Sequence, residues 1–548
     1  MIGSYSFDLA YIYMMKEHTM EHQWIAMSDP ASDNFSEVTA YMKLSISVAG
    51  EGDEQKPLEE EPAGTGNDKV MMPPTIRPEF YQLRFKFFRA ENLPAMDTAV
   101  FGKGSLDAYI ICEYMGRKLK TKVLTQKEGG SIDWNQEFLL PCQLPIMSSR
   151  IVMKLFDEDK ISDEIVGSML FNLKEVIGKK NGKFFWKNIY GAPLGRSGEN
   201  CKNMNNNPEI GSTWKGRILM QVEAIKTDKP ELKLKDLEPE GDDIKKAANY
   251  FQDHEYQIIA HIGQGVALPS DSNYTVKIMI AENELTTDKP AAKEGNYARW
   301  NTRFEQKTLK VHYQDAFDMG RVYVYLMDGK TPVCFWKEHV KNFLDPNPKI
   351  RWVQLQPDLA IGSVKEAYKA GILSMKLSIH DKTEKGEINF KDFDAWKKAP
   401  KKRMPVWTIR TYVFQARDLP AADSNGTSDP FIVFQDGDKK VKKTRVIEDN
   451  CNPIFYETID LTFEAEDRSE IPPVVMDIYD SDGLLDSDDY ISRCMITMDD
   501  AAVSENEKVP KPKWHDCRID PKGPKEGELL VAFSVVDMDF NFPCLAKD

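Results

Sequence analysis

The sequence predicts an all-β chain, built as tandem antiparallel β-sandwiches joined by linkers with minor helix. Three observations carry this reading. Short runs alternate apolar and polar residues along most of the chain. Three of these runs stop at the same dipeptide, Leu-Pro. Four tryptophans recur in similar settings at near-equal spacing.

The opening strands come first. Residues 81–94, 256–269 and 407–420 each read as a period-2 strand ending at Leu93-Pro94, Leu268-Pro269 or Leu419-Pro420. Proline has no N–H to give a central ladder, so the strand ends there and a loop begins. Further short strands follow at the spacing of an antiparallel sandwich, among them 109–113, 151–156, 431–434 and 474–479. The closing strands follow the tryptophans. After each of Trp24, Trp186, Trp352 and Trp514 come a polar loop and another alternating run: 41–48, 217–222, 372–379 and 528–536. Helical signal is weak and falls in connectors such as 240–253.

These repeats divide the chain. Residues 1–50 hold the closing half of a sandwich and 51–78 an acidic linker. Complete modules are expected at 79–225, 253–382 and 405–540. Linkers fill 226–252 and 383–404, the second of them basic, and 541–548 is a tail. Such charged runs read as solvated connectors. A half sandwich exposes an unpaired edge and an open core face, so the N-terminal part predicts a fragment, a truncated gene model or a divergent short relative.

Composition narrows the function. A chain of 548 residues exceeds one hydrophobic core. A net charge of −15 argues against nucleic acid as a partner, so the position of the acids matters more than their number. There is no apolar run long enough for a transmembrane helix and no secretory leader. The eight cysteines are scattered, with no Cys-x-x-Cys pair, which reads as reduced thiols of a cytoplasmic protein. No Gly-x-Ser-x-Gly, His-Glu-x-x-His, phosphate-binding loop or kinase signature occurs, so the chain is read as non-enzymatic.

The acids cluster in paired loops. In the last module one loop carries Asp423 and Asp429, and a second carries Asp480, Asp482, Asp486, Asp488 and Asp489. In the 79–225 module the corresponding acids are Asp97 and Asp107, then Asp157, Glu158, Asp159, Asp163 and Glu164. Loops of neighbouring strands meet at one end of a sandwich, where such carboxylates repel unless a cation joins them. Ca²⁺ takes six to eight oxygens in loose geometry and suits loop carboxylates better than Mg²⁺ does. The 253–382 module offers only Asp271 and Asp328, with Lys330 beside the latter, and is expected to be structural or a protein contact.

These residues resemble C2 domains. The motif Leu-Pro-x-x-Asp is followed by Ser428-Asp429-Pro430-Phe431 or Leu106-Asp107-Ala108-Tyr109, then by Asp-x-Asp after a hydrophobic strand. Asn452-Pro453 and Trp134-Asn135-Gln136-Glu137-Phe138 each look like part of that family's Asn-Pro-x-Trp-Asn-x-x-Phe strand entry. The chain is also similar to ferlins, multi-C2 proteins of vesicle fusion and membrane repair. That resemblance rests on Trp24 to Pro30 with Tyr41-Met42-Lys43, on Phe88 to Asp97, and on Gln415 to Asp423. It implies Asp97, Asp107, Asp157, Asp159 and Asp163 as Ca²⁺ ligands, and likewise Asp423, Asp429, Asp480, Asp482 and Asp488. Asp489 and Glu164 stand as alternatives to Asp488 and Asp163. The long helical insert and the C-terminal anchor of animal ferlins have no counterpart here, so the expected location is cytoplasmic and peripheral on membranes.

The expected activity is Ca²⁺-dependent binding to anionic phospholipid, with phosphatidylserine and phosphoinositides as ligands and fusion-machinery proteins as further partners. Val100, Phe101, Leu484 and Leu485 are the apolar loop tips expected to enter the headgroup region. Lys118, Lys120 and Lys122, and Lys440 with Lys442, are expected phosphoinositide contacts on alternating strand positions. The alternative is a non-enzymatic scaffold that binds proteins without Ca²⁺.

Overall fold

The structure, a computed structural model, describes residues 3–28, 38–50, 53, 70–71, 79–96, 105–127, 130–144, 149–159, 162–178, 182–251, 253–312, 316, 318–364, 366–399, 404–435, 442–483, 487–498, 511–519 and 523–537. The expected fold class is the one observed: antiparallel sheets dominate and helices are short. The chain forms two compact units.

The first unit comprises Met1–Leu83, Leu140–Ser149 and Ala224–Leu232. In it Thr19–Ser28 pairs antiparallel with Val38–Ser47 and parallel with Val70–Met71. The Val38–Ser47 strand has no buried residue, and its Tyr41 and Met42 are exposed. A short helix, Leu9–Tyr13, is capped by the Asp8 carboxylate, which accepts from the Ala10 N–H.

The second unit, Arg84–Leu139, Arg150–Glu223 and Lys233–Asp548, holds most of three β modules. In the first of them one sheet runs, in spatial order, Lys233–Asp236, Ile132–Leu144, Glu79–Glu91, Thr213–Lys226, Phe184–Gly191, Glu164–Asn172, Arg150–Asp157, Asp107–Tyr114 and Arg117–Lys120. Its two halves join where Ser168 pairs with Tyr190. The middle module has two five-stranded sheets, centred on His254–Val266 and Arg321–Asp328. The last module has two four-stranded sheets, one containing Val406–Arg417 and Glu528–Asp537, the other Pro430–Gln435 and Val474–Asp480. Inward-facing Ile409, Ile432, Phe455, Met476 and Val531 fill the space between these two sheets.

The modules share local devices that fix where their loops begin. Asn92, Ala267 and Asp418, each just before a Leu-Pro, have φ near +50°. Gly216, Gly371 and Gly527, also at positive φ, lie against those turns; a Cβ on Gly216 would sit 2.7 Å from the Asn92 carbonyl oxygen. Buried Thr121, Thr287 and Thr444 each accept, through their hydroxyls, the N–H of Ile110, Val276 and Ile432. These threonines set a common register between modules. The recurring tryptophans also share a role. Trp24, Trp186, Trp352 and Trp514 each lie on a strand paired antiparallel with the following long strand.

Two of the expected connectors carry more structure than solvated linkers. Lys233–Asp236 pairs with Gln136 to Leu139 as a sheet strand. In 383–399, Phe390 and Trp396 are buried against Ile259, and the Trp396 indole donates to the Pro346 carbonyl. The basic residues there hid this apolar pair, whose burial contributes on the order of 1.5–3 kcal/mol per side chain. None of the described cysteines forms a disulfide, and all but Cys451 are buried.

Candidate metal centre

The last module brings its two acidic loops together by strand pairing. Pro430 lies opposite Asp480, and Asp480 lies opposite Asp489. The Asp429 N–H donates to an Asp480 carboxylate oxygen, and the Ser481 N–H donates to the Asp429 carbonyl at 3.1 Å. Asp423 is placed by a turn in which its N–H donates to the Thr427 carbonyl at 3.1 Å. As a result, carboxylate oxygens of Asp423, Asp480 and Asp482 lie within 4.8 Å of one another. Oxygens bound to one Ca²⁺ at 2.3–2.6 Å can be up to about 5 Å apart, so the trio fits a single ion.

The electrostatics agree with the geometry. Burial raises the Asp480 carboxyl above 3.8, and the carboxylates of Asp423, Asp482 and Asp429 raise it further against the lowering by the Asp429 N–H. Asp429 is also held from outside the trio, accepting the Asp449 N–H at 2.7 Å. Asp488 and Asp489 are exposed beside this group, and Asp488 is not part of the trio.

The first module repeats the frame. The Asp107 N–H donates to Asp157 at 2.8 Å, and the Glu158 N–H donates to the Asp107 carbonyl at 2.8 Å. Its acids then find partners within the protein. The Thr125 hydroxyl donates to Asp107 at 2.6 Å. The Tyr109 hydroxyl donates to Asp163, and the Asp159 N–H donates to the same carboxylate at 3.2 Å. These bonds, the Tyr109 one foremost, hold Asp163 below 3.8. Lys120 lies over the Tyr109 ring at 3.6 Å and pairs with Glu158 at 3.1 Å. No trio of carboxylates converges here among the described residues; Asp97 lies outside them.

The middle module closes the same position with a hairpin. Asp328 pairs with Thr331 around Gly329 and Lys330, which leaves no long loop. Asp271 is paired with Lys293 at 2.6 Å, and the Ser272 hydroxyl donates to Asp328 at 3.1 Å. A second group able to approach a metal, His254, Asp381 and Glu384, sits in this module. There Asp381 already pairs with His254 at 3.1 Å and caps a short helix by accepting the Glu384 N–H at 3.0 Å. One histidine and a capping carboxylate read as structure.

The basic strands differ from expectation in one module. Lys118, Lys120 and Lys122 are exposed on one side, paired with Glu113, Glu158 and Asp236. In the last module the threonine register aligns Lys120 with Lys443 and Lys122 with Arg445. Lys442 shares the side of buried Thr444 and is half-buried, so the outward basic positions are Lys443 and Arg445. Lys440 lies outside the described residues, as do the expected loop tips Val100, Phe101, Leu484 and Leu485. The sequence reading missed Lys443 and Arg445 because several consecutive basic residues leave the strand parity open.

Comparison with known proteins follows the same two regions. The C2 domain family model matches residues 81–189 and 407–517. Mouse myoferlin is 24% identical over 338 residues, 55% of this chain and 16% of that protein. Human myoferlin is 23% identical over 351 residues, 55% of this chain and 17% of that protein. The chain therefore matches only about a sixth of the length of these relatives. A solved structure of two tandem C2 domains of extended synaptotagmin 2 covers 60% of this chain and 98% of its own, at 18% identity and a TM-score of 0.21, too low to bear on the fold. Two regions of the chain match the C2 domain, and about half of the chain is similar to ferlins.

Proposed function

We propose that this protein binds anionic phospholipid membranes in a Ca²⁺-dependent manner, chiefly through the acidic loops of its last module. The observation that carries this reading is the convergence of Asp423, Asp480 and Asp482, with Asp480 raised by burial and then by its acidic neighbours. Bound there, Ca²⁺ would supply positive charge and coordination positions open to phosphate oxygens. The chain's part is to hold the carboxylates in place through the Asp429 and Ser481 N–H bonds. Asp429 and Asp488 complete the proposed ligand set, and Lys443 and Arg445 add an outward basic face for headgroup phosphates.

The first module is proposed as a weaker site using Asp97, Asp107, Asp157, Asp159 and Asp163. Its acids must first give up the Tyr109, Thr125 and Lys120 partners. Lys118, Lys120 and Lys122 exchange exposed ion pairs for lipid phosphate at little cost, since such pairs contribute only about 0–1 kcal/mol. The similarity to ferlins supports a role in membrane docking, vesicle fusion or repair. A Ca²⁺-independent protein scaffold is the second reading, favoured by the closed hairpin of the middle module.

Co-sedimentation of the full chain with phosphatidylserine vesicles tests the proposal. Binding in Ca²⁺ that is lost with chelator, lost with phosphatidylcholine alone, and strongly reduced in a D480N/D482N variant is the expected result. Binding that ignores chelator and variant favours the scaffold.

A further inference from the structure

We propose that the middle module positions the acidic loops of the last module through Tyr368, so that a module with no cup of its own sets the metal affinity of its neighbour. The inference rests on the Ca²⁺ reading given above.

The last module's acidic loops stand on a row of aromatic rings. Phe431 and Tyr479 stack with centroids 5.9 Å apart, and Tyr479 meets Tyr490 edge-on at 5.5 Å. Each ring is close in sequence to a carboxylate: Phe431 to Asp429, Tyr479 to Asp480, Tyr490 to Asp489. The row ends on a ring from another module. Tyr368, in the turn Ala367–Ala370 of the middle module, stacks on Tyr490 with centroids 3.5 Å apart and planes within 6°.

A buried ion pair locks this contact. Arg493 donates to the Tyr368 carbonyl and grips Asp477 through two bonds of 2.6 and 2.9 Å. Asp477 lies on the same strand as Asp480, and Arg493 on the same strand as Asp489. Elsewhere the Gln264 amide donates to the Glu464 and Glu470 carbonyls, so the two modules are joined at more than one point.

The hairpin needs this support. Asp489–Ile496 is the edge strand of its four-stranded sheet, and residues 481–488 join it to Val474–Asp480. Among the described residues its outer side is met only by the Arg493–Arg518 bridge, so Asp489 and Tyr490 beyond that bridge have freedom to lose when the nearby carboxylates gather on an ion. A ring clamped on Tyr490 removes part of that freedom beforehand. Preorganisation of this kind appears as affinity. Linkage then requires the converse, that metal binding tightens the Tyr368 contact. Tyr368 is thus a positioning residue and touches no metal.

The test uses the full chain with the first module silenced by D157N/D159N, so that Ca²⁺ calorimetry reads the last module. In that background Tyr368→Ala is expected to weaken Ca²⁺ binding about threefold to tenfold, the range that an aromatic pair can supply. Tyr368→Phe, which keeps the ring, is expected to bind within about twofold of the parent. Hydrogen exchange provides the reciprocal readout: Ca²⁺ is expected to slow exchange at residues 366–371 in the parent and not in the alanine variant. Equal Ca²⁺ affinity in parent and alanine variant, with no protection at 366–371, overturns this inference alone. No Ca²⁺ heat in the parent overturns it together with the proposed function.

Discussion

The two acidic loop pairs share a frame and differ in how their charge is met. In both, an aspartate N–H crosses to the first carboxylate of the opposite loop: Asp107 to Asp157 and Asp429 to Asp480. In both, an aromatic pair lies behind that carboxylate: Tyr109 with Phe156 and Phe431 with Tyr479. One difference among the described residues is a hydroxyl. Tyr109 uses its own to hold Asp163, while Phe431 at the matching position has none to offer. The first module therefore commits its acids to protein partners. The last module leaves Asp423, Asp480 and Asp482 facing one another. Equal numbers of aspartates do not make equal sites; what matters is which carboxylates face one another and which are held by side-chain hydroxyls.

Substitutions probe the two modules separately. The largest expected effect is at the clamp behind the last module's loops. Arg493→Ala leaves Asp477 buried without its cation and should cost about 3–5 kcal/mol, read by urea unfolding. The next should be equal in both modules, because the frame is shared. Gly216→Ala and Gly527→Ala each place a Cβ against turn carbonyls at positive φ and should each cost about 1–3 kcal/mol. An effect confined to one module would show that the frames are not equivalent.

Charge removal should then act with opposite signs. In chelator, Asp482→Asn relieves repulsion and should raise the unfolding midpoint slightly, by less than about 1 kcal/mol. Asp163→Asn weakens the bonds from Tyr109 and Asp159 and should lower it by a comparably small amount. Tyr109→Phe should release Asp163 and strengthen Ca²⁺ binding by the first module a few-fold, about one hydrogen bond's worth. Calorimetry on the D480N/D482N background reads that change.

The smallest effect is the pH dependence without Ca²⁺. Asp480 is raised above 3.8 in the folded state, so its charge destabilises the last module at neutral pH. That cost is relieved as pH falls through its folded value. Asp163 is lowered, so its stabilisation is complete above 3.8 and lost as pH falls below. Module-resolved hydrogen exchange across mild acid should show the last module gaining protection before the first begins to lose it.

Much of this was legible in the sequence, and the omissions have physical causes. The Leu-Pro stops and the recurring tryptophans mark strand ends because backbone chemistry and core packing fix them locally. The glycines at 216, 371 and 527 recur at the closing strands of the three complete modules, yet their role depends on a turn far away in sequence. Whether an aspartate is already satisfied depends on contacts such as Tyr109 with Asp163, which span strands and leave no local pattern. The parity of Lys442 and Lys443 was hidden for a similar reason. A basic run gives no alternation, and only the buried Thr444 fixes which lysine points outward. The Tyr368 stack joins two modules and lies beyond any reading of one module alone.

If the last module's loops form the stronger Ca²⁺ site, calorimetric Ca²⁺ titration of the full chain will separate D480N/D482N from D157N/D159N. The expected result is that D480N/D482N removes the tighter phase and that D157N/D159N leaves it in place. Retention of the tighter phase in D480N/D482N, or its loss in D157N/D159N, would place the stronger site elsewhere.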